Sequence, residues 1–126
     1  MTSPSSRIQP THPLDRLFVY GTLTEPARFK SVTGVGYASV TDGNPPAAGP
    51  YAVAARLADF AAIRGDGYLY AVPQAGASIV GRLICRVSDE AFHHLDAYEG
   101  PGYRREALAV RTDEGLLDAY VYLSTS

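Results

Sequence analysis

The sequence predicts an α+β domain built on a small, mixed, strongly curved β-sheet. Three observations carry this. β-type runs punctuated by Gly and Pro recur along the chain, at Leu17–Tyr20, Gly67–Val72, Ser78–Val87 and Tyr103–Leu123. Only one segment, Ser88–Gly100, combines an apolar helical period with a signal at each end. The 126 residues, 46% of them hydrophobic, suffice for one core and contain no internal repeat or domain boundary. Strands dominate and one good helix packs late, so the sheet is expected to curve strongly, with closure into a small barrel as the limit.

The elements follow in order. Met1–Leu14 is rich in Ser and Pro and poor in apolar residues, which predicts a flexible tail (1–14) before a folded domain at 15–126. It lacks the apolar stretch of a secretory signal. Leu17-Phe18-Val19-Tyr20 reads as a short strand that stops at Gly21-Thr22, and Pro26 opens a helical turn through Phe29. Thr33–Tyr51, dense in Gly, Pro and Ala, reads as irregular strand and loop, and Tyr51–Phe60 as an imperfectly alternating strand. Gly67–Val72 is a strand closed by Pro73, with Gly76 at the next turn. Ser78–Val87 is apolar enough to lie centrally in the sheet. Tyr103–Thr112 and Leu117–Leu123 alternate around Asp113-Glu114-Gly115 and predict a β-hairpin.

The helix carries the most informative residue. Ser88 is placed to cap its start and Gly100 to end it. At about 100° per residue, Ala91, Phe92, Leu95 and Tyr98 share one stripe, and Glu99 falls inside it. A carboxylate there is disfavoured by burial, by the negative end of the helix dipole and by nearby Asp96, each of which raises its pKa. A raised carboxyl can move protons near neutral pH. A solvated helix-terminal glutamate fits the same pattern, so helix position alone does not choose.

Composition narrows the function. Eleven basic against 13 acidic residues give a net charge of −2, and a pI near 5.8 is not that of an electrostatic nucleic-acid binder. No stretch approaches the roughly 18 apolar residues of a membrane span. The expectation is a cytoplasmic protein without nucleic-acid or membrane partners, monomeric or homodimeric. The lone Cys85 sits in an apolar run and reads as a small buried hydrophobe. His93 and His94 lack the further ligands that would complete a metal site and read as a solvated face.

Tyr20-Gly21-Thr22-Leu23 follows the first strand directly. A glycine there lets backbone N–H groups converge on a carboxylate or a developing oxyanion, although an ordinary strand-ending turn has the same composition. It lacks the spaced glycines and Lys-Ser/Thr of a phosphate loop. Tyr20, Tyr68, Tyr70, Tyr98 and Tyr103 are candidates for a pocket wall.

Taken together and in order, these motifs resemble the gamma-glutamylcyclotransferase-like family, which includes plant avirulence-induced proteins and gamma-glutamylamine cyclotransferases. Phe18-Val19-Tyr20-Gly21-Thr22-Leu23 is similar to its opening signature, and Val80-Gly81-Arg82-Leu83 to its central glycine-bearing strand. Leu95-Asp96-Ala97-Tyr98-Glu99-Gly100 followed by Tyr103-Arg104-Arg105 resembles its Leu-Asp-x-x-Glu-Gly and Tyr-x-Arg segments. The resemblance runs from about Arg16 to Leu123. It implies a small mixed β-barrel with flanking helices, a Tyr20–Leu23 loop that binds a gamma-glutamyl group through N–H donors, and Glu99 as catalytic acid/base. Tyr103 is implied as a pocket residue, and Arg105 as a further substrate-binding position or a support for strand or loop. Tyr68 resembles the tyrosine of a family Tyr-Pro segment, with Leu69 in place of the proline.

The implied reaction is intramolecular aminolysis. The alpha-amine of a small gamma-glutamyl amine or amino acid attacks its own gamma-carbonyl and releases 5-oxoproline, a chemistry that calls for no cofactor. Two other readings share the motifs. One is a non-catalytic binding module for an acidic metabolite, and the other a biosynthetic enzyme that removes a gamma-glutamyl group from one larger intermediate.

Overall fold

A computed structural model describes residues 14–65 and 68–124, with the side chain of Tyr68 outside the described residues. The expected tail, apart from Leu14, also lies outside them. The elements are β1 (Leu17–Val19), a 3-10 turn (Thr22–Thr24), α1 (Pro26–Thr33), β2 (Ala38–Ser39), β3 (Tyr51–Gly65), β4 (Tyr68–Cys85), α2 (Asp89–Glu99), β5 (Tyr103–Thr112) and β6 (Gly115–Ser124). The strands lie in the order β2-β3-β4-β1-β6-β5, and β3 pairs back onto β5. Five strands therefore close a barrel with β2 on its outer edge. β1 runs antiparallel to β4 and parallel to β6, so the barrel is mixed.

Alternation sorts side chains between two cores. Phe18, Leu57, Leu83, Val110 and Val121 fill the barrel. Leu17, Ile84, Phe29, Phe92 and Leu95 form an outer layer between the sheet and the two helices. Gly81 marks where β1 comes close to β4. A Cβ on it would stand 2.2 Å from the Val19 carbonyl oxygen and 2.9 Å from Phe18 Cζ, so only a hydrogen fits.

The predicted strands Gly67–Val72 and Ser78–Val87 are one strand, β4, and Pro73 and Gly76 do not end it. Register passes from Phe60↔Pro73 to Ala58↔Ser78, which leaves residues 74–77 as a bulge opposite Asp59. Asp59 takes φ 66°, and its Oδ1 accepts from the Gly76 N–H at 3.0 Å. The bulge takes in the glycine turn, and Pro73 stands at its edge, opposite Phe60. β3 accordingly continues past Phe60 to Gly65. The helical turn at Pro26 is a full helix through Thr33, ended by Gly34 at φ 83°. Within 33–51 the regular structure is Ala38–Ser39, parallel to the start of β3.

α2 has the expected bounds. Ser88 Oγ accepts from the Ala91 N–H at 3.1 Å, and Gly100 closes the helix at φ 80°. Ala91, Phe92 and Leu95 are buried as the stripe predicts, but Tyr98 is 42% exposed. The stripe ends at Leu95 because the last turn overhangs the barrel rim, where Tyr98 meets α1 instead of the sheet. Among the described residues no helix is long and apolar enough to cross a membrane.

Candidate active site

The C-terminal end of β1 opens into a cavity of about 640 Å³ between the barrel rim and the two helices. Its wall takes Tyr20, Gly21, Thr22 and Leu23 from the first loop, Arg28 from α1, Tyr98 and Glu99 from α2, Tyr103 from β5, Tyr122 from β6, and Arg64 and Leu69 from the β3–β4 hairpin. Residues as far apart along the chain as Tyr20 and Tyr122 thus share one space.

The loop is built as a donor turn. The Thr24 N–H bonds to the Gly21 carbonyl at 3.0 Å and the Glu25 N–H to the Thr22 carbonyl at 3.1 Å. Thr24 Oγ1 also donates to the Gly21 carbonyl at 2.6 Å, and the Tyr37 hydroxyl donates to the Thr24 carbonyl at 2.7 Å. A 3-10 turn leaves its first N–H groups without intrahelical acceptors. Those of Gly21, Thr22 and Leu23 accordingly meet no protein acceptor among the described residues.

Glu99 is half-buried at the other side of the cavity. Burial pushes its carboxyl from the usual value near 4.5 up to about 7. Phe92 and Leu95, fully packed on the same helix, hold that turn against the barrel. Among the described residues no hydrogen bond or ion pair engages the Glu99 carboxyl. The expected contribution of Asp96 is absent, because that carboxylate is held elsewhere. It accepts from the Tyr122 hydroxyl at 2.6 Å and lies 3.1 Å from Arg105 Nε.

Arg105 does not line the cavity. Its guanidinium lies 4.5 Å from the Phe92 ring centre and 4.4 Å from that of Tyr120. Planar stacking and the ion pair to Asp96 together fasten α2 to β5 and β6 one turn below Glu99.

Tyr20 lines the wall, yet its hydroxyl is already committed. It accepts from the Ala71 N–H at 3.0 Å and donates to the Tyr122 carbonyl at 3.1 Å, so it clamps β1, β4 and β6 together. Burial foremost pushes its pKa up to about 12, with Tyr103 and Glu99 adding to the rise, and the group stays a neutral donor. Tyr103 lines the cavity. Tyr70 does not: its hydroxyl packs over Gly65 across the hairpin end. Tyr68 begins β4, with its side chain outside the described residues.

Tyr122, Arg28 and Arg64 are wall residues that the sequence did not single out, whereas Leu69, noted in place of the family proline, does line the cavity. A signal for Tyr122 exists, since a two-residue loop at Asp113–Glu114 sets it opposite Arg105. Arg28 and Arg64 are brought in by tertiary packing and carry no local signal. Away from the cavity, His93 and His94 are exposed. Cys85 is buried and unpaired, and burial pushes its thiol pKa up. Among the described residues no group of three or more His, Cys, Asp or Glu side chains gathers as a metal site.

The family described as gamma-glutamyl cyclotransferase, AIG2-like, matches the chain over residues 17–126. No curated protein matches it. Two proteins of Arabidopsis thaliana solved in solution share the fold. One is 22% identical with a TM-score of 0.69, over 92% of this chain and 72% of its own. The other is 21% identical with a TM-score of 0.70, over 90% and 63%. A structure described as a gamma-glutamyl cyclotransferase aligns with a TM-score of 0.67 at 17% identity, over 90% of this chain and 68% of its own.

Proposed function

Because the chain belongs to the gamma-glutamyl cyclotransferase, AIG2-like family, we propose that it releases 5-oxoproline from a small gamma-glutamyl amine or amino acid, with Glu99 as acid and base. One observation carries this reading. A half-buried carboxyl pushed up to about 7 lines the same cavity as the three unpaired N–H groups that follow β1.

Ionised Glu99 takes a proton from the alpha-ammonium of the substrate. The freed amine attacks the gamma-carbonyl carbon four bonds away and closes a five-membered ring, and the N–H groups of Gly21, Thr22 and Leu23 receive the oxyanion. The carbon–nitrogen bond to the leaving group then breaks as Glu99 returns its proton to the departing nitrogen; the ring nitrogen gives its second proton to the ionised carboxylate, and the released amine carries that proton away as an ammonium. Tethering nucleophile and carbonyl in one molecule supplies ~7–11 kcal/mol in favourable cases. What remains for the protein is to take protons from the attacking nitrogen, give one to the leaving nitrogen and hold one oxyanion, which a carboxyl with a pKa near the working pH and a donor turn perform.

The test is a panel of gamma-glutamyl amines and amino acids assayed for 5-oxoproline. The parent should release it, and Glu99→Gln should lose more than about 10³-fold in kcat while melting cooperatively. Ligand-induced stabilisation of the parent without any 5-oxoproline would establish a binding module instead.

A further inference from the structure

We propose that the bare outer face at the barrel seam docks an extended acidic segment of a partner protein, of the pattern apolar–x–Asp/Glu–x–apolar. Where the barrel closes, one row of paired residues crosses four strands. Val80 of β4 stands opposite Arg56 of β3, Arg56 opposite Arg111 of β5, and Arg111 opposite Leu116 of β6. All four project outward, because the alternate positions Ile79, Leu57 and Val110 are buried inside. Val80 is 71% exposed and Leu116 60%, and both arginines are exposed between them.

The arginine pair is an energetic anomaly. Like charges directly opposite on neighbouring strands are destabilising, and this pair sits at the register position that closes the ring. Among the described residues neither guanidinium has a hydrogen bond or an ion pair. Asp118, opposite Ala109 two positions further along β6, pairs with neither. Arg82 lies diagonal to Arg56, opposite Ala54, and adds a third positive charge while its Nη1 donates to Ser39 Oγ at 2.6 Å. Local rules broken without a compensating contact mark functional positions.

The occupant follows from charge and spacing. A carboxylate between Arg56 and Arg111 would relieve their repulsion with charge-assisted hydrogen bonds. Strands stand about 4.8 Å apart, so Val80 and Leu116 are about 14 Å apart with the arginines midway. Residues i and i+4 of an extended chain lie about 13 Å apart on one face, with i+2 between them. Exposed Ala54, Ala58 and Ala109 around the row keep the floor low enough for another backbone to approach. The helices pack over the opposite side of the barrel, on Leu17, Ile84 and Tyr122. A second copy of this chain is a poor occupant, since a two-fold contact would set arginine pairs against each other.

The experiment uses a fluorescent peptide carrying Leu-Ser-Glu-Ser-Leu twice, titrated with the full chain by anisotropy at low salt. Saturable binding is expected, weakened at least tenfold by the double variant Arg56→Ser/Arg111→Ser, by Val80→Ser/Leu116→Ser, and by Gln in place of Glu in the peptide. Arg111→Glu should abolish binding and raise Tm, because it turns the seam into an opposite-charge pair. No saturation at millimolar peptide, equal binding by parent and variants, or self-association through this face would each overturn the proposal.

Discussion

The hydroxyl of Tyr98 lies 3.3 Å from Thr22 Oγ1 and 3.3 Å from Arg28 Nη1, so the residue before Glu99 bridges the end of α2 to the donor turn and to α1. The bridge holds the carboxyl and the N–H groups in one frame. Its bonds are long and exposed, so they contribute little to global stability. Tyr98→Phe should leave Tm almost unchanged yet lower kcat/KM for a gamma-glutamyl substrate about fivefold to tenfold, a loss on the order of 1 kcal/mol. Steady-state kinetics beside a thermal melt checks this, and unchanged kinetics would remove the bridge from the mechanism.

In the proposed reaction Glu99 starts ionised to accept the ammonium proton, and burial holds its carboxyl at about 7. kcat/KM should therefore climb about tenfold per pH unit below neutrality and level off above it. A solvated carboxylate would put that break near 4.5, the ordinary glutamate value. A pH–rate profile across this range separates the two.

The same shift predicts a stability effect of definite sign. The folded chain keeps the Glu99 proton up to about pH 7, whereas the unfolded chain releases it near 4.5. Between these values the folded state binds more protons, so this group's contribution is intact below about 4.5 and is lost as pH rises through 7. Glu99→Gln should match the parent at pH ~4 and exceed it at pH ~8 by on the order of 1–3 kcal/mol. Urea titrations at both pH values read the difference, and a Gln variant less stable than the parent at high pH would contradict it.

Arg105 contacts Phe92 and Asp96 of α2 and lies outside the cavity wall. Arg105→Lys keeps the charge but loses the planar fit between Phe92 and Tyr120, and should cost about 1 kcal/mol of stability. Substrate KM should stay within about twofold, since uniform binding is not removed. A large rise in KM with unchanged stability would instead put Arg105 on the substrate.

Gly81→Ala tests the tight approach of β1 to β4. The added methyl would meet the Val19 carbonyl oxygen at 2.2 Å, a backbone atom that cannot swing aside. Overpacking of this kind costs about 1–3 kcal/mol or more, and Tm should fall by several degrees. A variant as stable as the parent would mean that the two strands separate easily.

The sequence by itself determined what is local. The period of Phe92 and Leu95, the Ser88 cap and the Gly100 stop set α2 within its observed bounds, and the Asp113-Glu114-Gly115 signal placed the β5–β6 hairpin, whose turn is the two residues Asp113 and Glu114. Glu99 was legible for the same reason, because helix geometry maps sequence spacing onto a face. Tertiary structure decided the rest. Pro73 and Gly76 read as strand breakers until a bulge against Asp59 took in Gly76 and left Pro73 at its edge, opposite Phe60. Tyr98 read as core until the helix end overhung the barrel rim. Closure through Arg56 and Arg111, and the arrival of Arg28 and Arg64 around one cavity, depend on pairings and packing between residues dozens of positions apart. Such pairings are selected by the packing of the whole barrel, and no local period encodes them.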